Sequence, residues 1–388
     1  MKVVIAMDSF KGSLTSMEAG KAVWEGLWRV FPRAKAVIKP LADGGEGTLE
    51  ALVGGMGGVM QSVTVRGPLG EARECRYGIV EKEKDKGGRT AVIEMSGAAG
   101  LTLVPPQKRN PLFTTTYGVG EVIRHAIGRG CRHFLIGIGG SATNDGGVGM
   151  LQALGYDFLD EEEKSVPFGA QGLEKLRKIA DSRVLPELGE CEFRIACDVE
   201  NPLCGPLGCS AVYGPQKGAD EQMIRSMDGW MAHYAKLARA YNPKADPARK
   251  GAGAAGGLGF GFVTFTSARL EAGIQIVMEE TGLAKEIEDA SLVITGEGRL
   301  DGQTAMGKAP VGAAKLAKSY GKKVFAFAGS VTRQARACND QGIDAFFPVL
   351  RDITTLEEAM KKENAWANLA DAAEQAFRCY GAALEGRR

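Results

Sequence analysis

Short apolar runs flanked by glycine and aspartate alternate with helical patterns along this chain. Such runs are typical of buried strands in a parallel sheet whose two faces are covered by helices. After the first run, Thr15 and Glu18 have the spacing of a capping box, which predicts an amphipathic helix ending near Val30. The clearest predicted strands are residues 3–7, 36–40, 134–138, 292–295, 324–328 and 345–350.

Two stretches depart from this pattern. Residues 62–95 alternate β-branched and polar positions between turn residues, which predicts antiparallel hairpins. The stretch from about 150 to 285 is dense in glycine and proline and has only weak helical patterns. The charged run at residues 81–88 is interpreted as an exposed hairpin tip without a function of its own.

The change of pattern predicts an α/β protein with two discontinuous domains. Because ligand sites favour the clefts between domains, we expect the active site in the interdomain cleft. The predicted domains are a Rossmann-like parallel-sheet domain from residues 1–61, 106–149 and 286–388, and an inserted second α+β domain from residues 62–105 and 150–285.

The charge balance and the length of the apolar runs argue against nucleic-acid and membrane partners. Lys+Arg and Asp+Glu nearly cancel at 48 against 47, so no global field favours nucleic acid or an anionic membrane. The chain contains no run of about 18 apolar residues, so no membrane span is predicted. The N-terminus turns polar at Asp8 before a secretory apolar stretch develops, so we expect a cytoplasmic protein with reduced thiols.

Neither cysteines nor histidines indicate a site. Cys197, Cys204 and Cys209 lie close in sequence but lack the paired spacing of a zinc site. The three histidines lie outside the glycine-rich loops described below, and we give them no catalytic role; they are His125, His133 and His233.

Glycine is the residue type that departs most from average, at 54 of 388 residues, about twice the usual share. Glycine-rich turns suggest bound anions, because a residue without Cβ lets backbone N–H groups approach a phosphate. The segment from Gly302 to Ala309 has the spacing of a P-loop, but Ala309 stands where the magnesium-binding hydroxyl is required. It is therefore predicted to be an independent anion loop, with a plain turn as the alternative.

A second loop leaves an alternative function open. Gly137 to Ala142 follows a predicted strand with G-x-G-x-x-A spacing, and Asp157 and Asp160 come about twenty residues later, as in an NAD-dependent oxidoreductase. Against this interpretation, the loop continues through Gly147, which delays the helix that would receive the pyrophosphate. A two-domain solute-binding protein is a third alternative, although such proteins are usually exported and no export signal is present.

Seven loop motifs, six of which contain glycine, are more specific taken together than any one of them. They resemble the class I glycerate kinase family of bacteria over essentially the whole chain, from Lys2 to about Gly381. In chain order they are Asp8-Ser9-Phe10-Lys11-Gly12-Ser13, Ala42-Asp43-Gly44-Gly45-Glu46-Gly47-Thr48, Gly139-Gly140-Ser141-Ala142-Thr143-Asn144-Asp145-Gly146-Gly147, Cys197-Asp198-Val199-Glu200-Asn201-Pro202-Leu203, Tyr213-Gly214-Pro215-Gln216-Lys217-Gly218-Ala219, Gly253-Ala254-Ala255-Gly256-Gly257 and Thr295-Gly296-Glu297-Gly298-Arg299-Leu300-Asp301-Gly302-Gln303-Thr304.

The resemblance implies phosphorylation of D-glycerate with ATP and Mg²⁺ as cofactors. It further implies a Rossmann-like domain with a second α/β domain, and small-molecule partners only, in a monomer or homodimer. The expected product is 2-phosphoglycerate, with 3-phosphoglycerate as the alternative.

Under this interpretation the loops supply the parts that phosphoryl transfer needs: positioned hydroxyls, positive charge, metal ligands and a proton acceptor. Asp198 is the predicted general base, because it ends an apolar stretch that is expected to form a strand at the mouth of a cleft. Magnesium ligand and turn cap are its rival roles. The other predicted catalytic residues are Lys11 and Asp8, the predicted substrate-binding residues are Ser9, Lys217, Arg299 and Asn201, the predicted ATP-binding residues are Gly139, Gly140, Ser141, Thr143, Asn144, Gly256, Gly257, Gln303, Thr304 and Lys308, and the predicted metal ligands are Asp43, Glu297 and Asp301.

Overall fold

The computed structural model describes residues 1–81 and 88–385, and these fall into two compact units. The first unit consists of residues 1–43, 50–57 and 274–388, and the second of residues 44–49 and 58–273. Most of the charged run predicted to be a hairpin tip, residues 82–87, lies outside the described residues.

Strands and helices alternate at both ends of the chain, which belong to the first unit. The strands are β1 (Lys2–Met7), β2 (Lys35–Ile38), β3 (Val59–Arg66), β4 (Ala72–Glu81), β5 (Arg89–Glu94), β6 (Cys131–Gly137), β7 (Asp157–Leu159), β8 (Lys178–Ala180), β9 (Glu192–Ala196), β10 (Arg269–Glu271), β11 (Leu292–Leu300), β12 (Val324–Val331) and β13 (Ala345–Pro348). The α-helices are α1 (Ser16–Val30), α2 (Thr48–Met56), α3 (Ser96–Ala99), α4 (Tyr117–Gly128), α5 (Val148–Ala153), α6 (Ala170–Lys175), α7 (Cys209–Tyr213), α8 (Glu221–Tyr241), α9 (Ala254–Phe265), α10 (Gly273–Glu280), α11 (Leu283–Glu288), α12 (Gly302–Ala305), α13 (Ala309–Ser319), α14 (Ala337–Asp340), α15 (Leu356–Met360) and α16 (Lys362–Glu385). Short 3₁₀ turns add Leu101–Leu103, Pro106–Lys108, Pro186–Glu190, Pro215–Lys217 and Arg333–Arg336.

The first unit is built on a five-stranded sheet in the order β13-β12-β11-β1-β2, in which every neighbouring pair is parallel. All five strands had been predicted from their apolar runs. From β1 the chain crosses through α1 to β2, whereas from β11 it crosses through α13 to β12, in the opposite direction. The topological switch point of the sheet therefore lies between β1 and β11, which is where open α/β sheets bind their ligands.

Helix α1 shows how the sequence sets this unit. The predicted capping box is confirmed: the Thr15 hydroxyl accepts from the Glu18 N–H, and the Glu18 carboxylate accepts from the Thr15 N–H. The buried face of α1 packs on α16, and Gly26 faces that helix. A Cβ there would lie 2.3 Å from the Ala370 carbonyl oxygen, so only glycine allows the two helices this separation.

The second unit contains a six-stranded mixed sheet in the order β10-β9-β6-β5-β4-β3. The predicted hairpins are confirmed, since β3, β4 and β5 are antiparallel neighbours. Strand β6 pairs in parallel with β5 and β9, so the strand near residue 135 lies in this sheet. This differs from the predicted assignment of residues 106–149 to the sheet of the chain ends. A buried apolar run marks a strand, but it does not say which neighbours the strand will have.

The core of the second unit packs β-sheet residues against α4, α5, α8 and α9. Aromatic side chains fill much of it, including a stacked pair, Phe134 and Phe193, on the adjacent strands β6 and β9. Over residues 1–81 and 88–385, no helix combines the length and apolar character needed to cross a membrane.

Candidate active site

A cavity of about 350 Å³ opens in the first unit beside the switch point between β1 and β11. Its volume falls within the range of roughly 300–1,000 Å³ that is common for small-molecule sites. Predicted catalytic, substrate-binding and metal-binding residues meet here, although they come from distant parts of the chain. The charged residues that line the cavity are Asp8, Lys11, Asp43, Glu297, Arg299, Asp301 and Lys308.

Asp8 is the first residue after β1, and its side chain is only 8% exposed. Burial raises the pKa of its carboxyl group to about 7, because a charged carboxylate loses its hydration there. The Ser9 N–H donates a 2.6 Å hydrogen bond to Asp8 Oδ1 and opposes the rise. The charges of Asp43 and Glu297 favour it, and Lys11 opposes it. Asp8 is thus a buried carboxyl group that can exchange a proton near neutral pH.

Glu297 lies within β11 and is buried to a similar degree. Burial raises the pKa of its carboxyl group, while the hydrogen bond from the Thr304 hydroxyl, 2.7 Å from Oε1, and the charge of Lys308 lower it. The nearby carboxylates Asp301 and Asp43 raise it again. The three acidic groups therefore repel one another, and a bound cation would relieve that repulsion.

Asp301 has a structural task of its own, as the N-cap of α12. Its Oδ1 accepts hydrogen bonds from the Gln303 and Thr304 N–H groups, and the Thr304 hydroxyl accepts from the Asp301 N–H. Arg299 approaches its other oxygen at 3.7 Å from a side chain that is largely exposed. Asp301 Oδ2 therefore has Arg299 as a loose ionic partner, and the Arg299 side chain stays largely open to solvent.

The P-loop-like segment follows its strand more closely than expected. We predicted a strand ending at residue 295, but β11 continues to Leu300 because Arg299 and Leu300 pair with Ser330 and Val331 of β12. The glycines at positions 296 and 298 conceal this extension, since glycine is depleted in strands. Lys308 then sits at the N-cap position of α13, partly buried and lining the cavity.

A second cluster lies in the second unit, around Lys217. This side chain is only 2% exposed, at the end of the turn Pro215–Lys217, and its Nζ donates to Ser141 Oγ at 2.9 Å and to the Thr143 carbonyl oxygen at 2.6 Å. Burial lowers the pKa of the Lys217 ammonium group to about 8, while the acidic groups of Cys209 and Asp145 oppose this effect. The lysine predicted to bind an anion is therefore fixed in place, and it is held through polar rather than ionic partners.

The loop that carries Ser141 is anchored by a carboxylate. Asp145 is buried, and its oxygens accept from the Thr116 N–H and hydroxyl, both at 2.8 Å, and from the Gly147 N–H at 3.2 Å. Burial raises its pKa, and these hydrogen bonds oppose the rise. Asp145 thus shapes the loop, and Thr116 is a supporting residue that no sequence signal had indicated.

Two polar side-chain atoms of this loop are unpaired among the described residues. Among the described residues, the buried Thr143 Oγ1 and Asn144 Oδ1 have no hydrogen-bond partner, whereas Asn144 Nδ2 donates to Ser210 Oγ at 2.9 Å. Gly139 and Gly140, just before Ser141, are exposed. The Thr143 hydroxyl and the exposed backbone can therefore donate to an anionic ligand, whereas Asn144 Oδ1 can only accept a hydrogen bond.

Gly256 and Gly257 brace the same loop from the opposite side. The Gly146 N–H donates to the Gly256 carbonyl oxygen at 2.9 Å, and both glycines have positive φ, +67° and +89°. A Cβ on Gly256 would lie 2.0 Å from the Thr143 carbonyl oxygen, which no side chain tolerates. These predicted ATP-binding glycines therefore have a packing role that is visible within the chain.

Comparison with known proteins identifies the family in which this arrangement of residues is found. The model of the glycerate kinase family matches residues 3–381. The chain belongs to the glycerate kinase family. It is 47% identical over 362 residues to a glycerate kinase of Haemophilus influenzae, covering 93% of this chain and 94% of the relative. It is also 47% identical over 364 residues to the glycerate 2-kinase of Escherichia coli, covering 93% of each.

A solved structure extends the comparison to the fold. A crystal structure from Salmonella typhimurium, of a protein assigned as glycerate kinase 2, matches with a TM-score of 0.90 at 44% identity and covers 99% of each chain. The resemblance seen in the seven motifs is thereby confirmed, as is the α/β fold class.

The environment of Asp198, the predicted general base, differs from the one that the sequence predicts. Asp198 follows β9 as predicted, and its Oδ1 accepts a 3.0 Å hydrogen bond from the Gly273 N–H, but its side chain is exposed rather than partly desolvated. Asn201 is engaged on both ends of its amide: Tyr213 Oη donates to Oδ1 at 2.6 Å, and Nδ2 donates to the Leu207 carbonyl oxygen at 2.9 Å. Asn201 therefore stabilises its loop, whatever else it does.

Several cavity residues of this family member escaped the sequence analysis. Only Phe10 lies within one of the seven motifs, and the others lie near the carboxyl end of the chain, where the helical pattern gives no reason to single them out. The cavity residues concerned are Phe10, Val349, Leu350, Leu356, Met360 and Asn368.

Proposed function

We propose that this protein transfers the γ-phosphoryl group of ATP to D-glycerate, releasing ADP and 2-phosphoglycerate. The observation that carries the proposal is the cavity beside the switch point of the first unit, where carboxylates and lysines meet in a member of the glycerate kinase family. The 2-position is favoured because the Escherichia coli relative is named a glycerate 2-kinase. A 3-phosphoglycerate product is the alternative that the experiment below distinguishes.

In this reaction a hydroxyl oxygen of glycerate forms a bond to the γ-phosphorus, and the bond from that phosphorus to the β-γ bridging oxygen breaks. The electron pair stays on ADP, and the hydroxyl proton passes to a carboxylate. Such a reaction needs positioning and neutralisation of charge more than covalent chemistry. Lys11 and Lys308 are proposed to bind phosphate oxygens, with Arg299 as an exposed cation that can close on either anion.

Two carboxylates are candidates for the proton acceptor. A general base works best when its pKa lies near the working pH, and the pKa of Asp8 is raised to about 7. Asp198 is the other candidate, and its side chain is exposed. We therefore propose Asp8 as the first candidate for the proton acceptor and Asp198 as the second. The variants described below distinguish them.

Magnesium is the expected companion of ATP. Among the described residues no group of three or more metal-ligating side chains is preformed, which fits an ion held by one or two carboxylates together with substrate phosphates. Asp43 and Glu297 would hold it, with Asp301 as the alternative to either. When bound, Mg²⁺ supplies neutralisation of the phosphate charge.

Lys217 and the loop of Ser141 are proposed to bind an oxyanion of ATP or glycerate. Because Lys217 Nζ donates to Ser141 Oγ, the Ser141 hydroxyl hydrogen remains free to donate to that anion. The open Thr143 hydroxyl can do the same.

The test is an assay of purified protein with ATP, Mg²⁺ and D-glycerate, coupled to detection of ADP, with the product identified by phosphorus NMR. We expect ADP and 2-phosphoglycerate in equal amounts. Asp8→Asn and Asp198→Asn are then compared: loss of kcat by on the order of a hundredfold identifies the base, and unchanged kcat removes that residue from the role. If no ADP forms, a parallel incubation of the protein with D-glycerate and NAD⁺ tests the oxidoreductase alternative, which predicts formation of NADH.

A further inference from the structure

The cavity of the first unit has a second set of lining residues that the chemistry above does not use. Aliphatic and aromatic side chains contribute them, and we call them the apolar wall: Phe10, Val349, Leu350, Leu356 and Met360. Phe10 follows β1, the next two follow β13, and the last two lie one helical turn apart on α15. The wall is therefore assembled from three separate segments around one space.

Contact with such a surface would not stabilise bound glycerate. Glycerate is a three-carbon carboxylate with two hydroxyls, so an apolar wall would remove its hydration without replacing it. A flat heterocycle gains from the same contact, because burying its faces removes apolar surface from water. Leu356 is 78% exposed and Leu350 is 41% exposed, so this wall offers uncovered aliphatic surface to a ligand.

One polar side chain interrupts the apolar lining. Asn368, on α16, lines the cavity and is partly exposed, and over residues 1–81 and 88–385 its side-chain amide makes no hydrogen bond. By contrast, the amide of Asn364, one turn earlier on the same helix, donates to the Glu358 carbonyl oxygen at 2.8 Å. A carboxamide can donate and accept side by side, which is the pattern that the edge of adenine requires.

From these observations we infer that the apolar wall binds the adenine base of the nucleotide and that the Asn368 amide reads its edge. The cationic residues of the same cavity, Lys11, Lys308 and Arg299, then receive the phosphates, since they lie in the same unit as the apolar wall. The inference rests on the proposed function for the identity of the nucleotide. It adds a base site and a specificity-determining residue that no motif contains.

The experiment measures equilibrium binding of ADP and GDP to the full-length protein by calorimetry, without glycerate. Asn368→Asp replaces the donor by a second acceptor, which suits the N1–H and N2–H₂ donors of guanine and opposes N1 of adenine. We expect ADP to bind on the order of tenfold more weakly and GDP more tightly. Gln375→Glu makes the same kind of change at an exposed position of α16 outside the cavity and should alter neither affinity.

Ala359→Trp supplies a second test, because an indole at this cavity position on α15 would occupy the space of the base. Both nucleotides should then bind at least tenfold more weakly. Leu356→Asn, at a largely exposed position, keeps the fold and should weaken ADP binding by a few fold. Circular dichroism checks that each variant is folded.

The outcomes separate this inference from the proposed function. If the wild-type protein binds ADP with this pattern of variants but does not phosphorylate glycerate, the proposed function fails and the base site stands. If Asn368→Asp, Ala359→Trp and Leu356→Asn all bind ADP like the wild type, the base site is overturned. It is also overturned if these variants raise the KM for D-glycerate while the affinity for ADP stays unchanged.

Discussion

The backbone N–H of Asp8 donates a 2.8 Å hydrogen bond to the carbonyl oxygen of Gly296, so the first residue after β1 is tied to the middle of β11. This bond crosses the switch point of the sheet and joins residues almost three hundred positions apart in sequence. Because Glu297 follows Gly296 directly, the bond also fixes the spacing between the two buried carboxyl groups of the cavity. Backbone pairing, rather than the side chains themselves, thus sets the acidic geometry.

Asp8→Asn should abolish most activity and yet stabilise the fold. The folded-state pKa of Asp8, about 7, is higher than the usual value of 3.8, so the folded protein binds more protons between these values. Stability therefore falls as pH rises from about 4 to 7, and the full penalty is present above pH 7. Without metal, the variant should melt roughly 5 °C higher than the wild type at pH 8, with a smaller gain at pH 5.

Thermal melts at both pH values, together with kcat, check the Asp8 prediction. The charged neighbours Asp43, Glu297 and Lys11 are present in both proteins, so the difference isolates Asp8. An equal difference at pH 5 and pH 8 would contradict the raised pKa, and wild-type kcat would remove Asp8 from the reaction.

Lys11→Ala and Lys308→Ala should weaken ATP or glycerate binding with little change in thermal midpoint. Both lysines line the cavity, and partly exposed cations contribute little to folding but strongly to holding a phosphate. A KM increase on the order of tenfold is expected for one substrate. Lys315→Ala, at an exposed position of α13 outside the cavity, is the control. A lysine variant whose kinetics match this control marks a bystander.

Lys217→Met should lower kcat/KM by on the order of a hundredfold, because it removes the charge behind Ser141 and the donor to the Thr143 carbonyl oxygen. The pKa of Lys217 is lowered to about 8 from 10.5, so its buried charge destabilises the folded state fully below pH 8. That penalty fades as pH rises towards 10.5. The wild type should therefore gain stability relative to the variant between pH 8 and pH 10.

Chemical denaturation at pH 7, 8, 9 and 10 measures the Lys217 effect. Lys236→Met, at an exposed position of α8, controls for the loss of a lysine and should show no such pH dependence. A stability difference that stays constant across this range would show that Lys217 titrates normally.

Gly256→Ala should destabilise the protein by about 2 kcal/mol or more, since it combines a positive φ with a Cβ placed 2.0 Å from the Thr143 carbonyl oxygen. The loop that carries Ser141 must move to admit it, so activity should fall as well. Gly229→Ala is the matched control: it lies within α8 with open space around its Cβ and should stabilise the protein by about 0.5–1 kcal/mol. Urea denaturation of both variants distinguishes loop strain from a general effect of alanine.

Local signals in the sequence were enough to predict the strands of the first unit, the capping box of α1 and the hairpins formed by β3, β4 and β5. Each depends on neighbours a few residues apart: apolar runs, cap spacing and alternation. The seven loops could be recognised for a similar reason, because glycine and aspartate cluster where strands end.

Other features depended on pairing between distant segments. The full length of β11 is set by its pairing with β12, and the sheet that contains β6 is set by β5 and β9. The exposure of Asp198 and the burial of Lys217 were equally hidden, since each residue stands in a short loop motif whose sequence does not show how the loop packs.

The sequence by itself determined the family, the strand-and-loop pattern and the chemical kinds of residue in the site, because these are written in short contiguous motifs. The tertiary structure decided which carboxylate is buried, which lysine loses its hydration, and that Phe10, Leu356 and Asn368 share a cavity with Asp8. The physical reason is that burial, pKa and cavity shape are set by which distant segments pack together. No residue type or local spacing encodes those quantities.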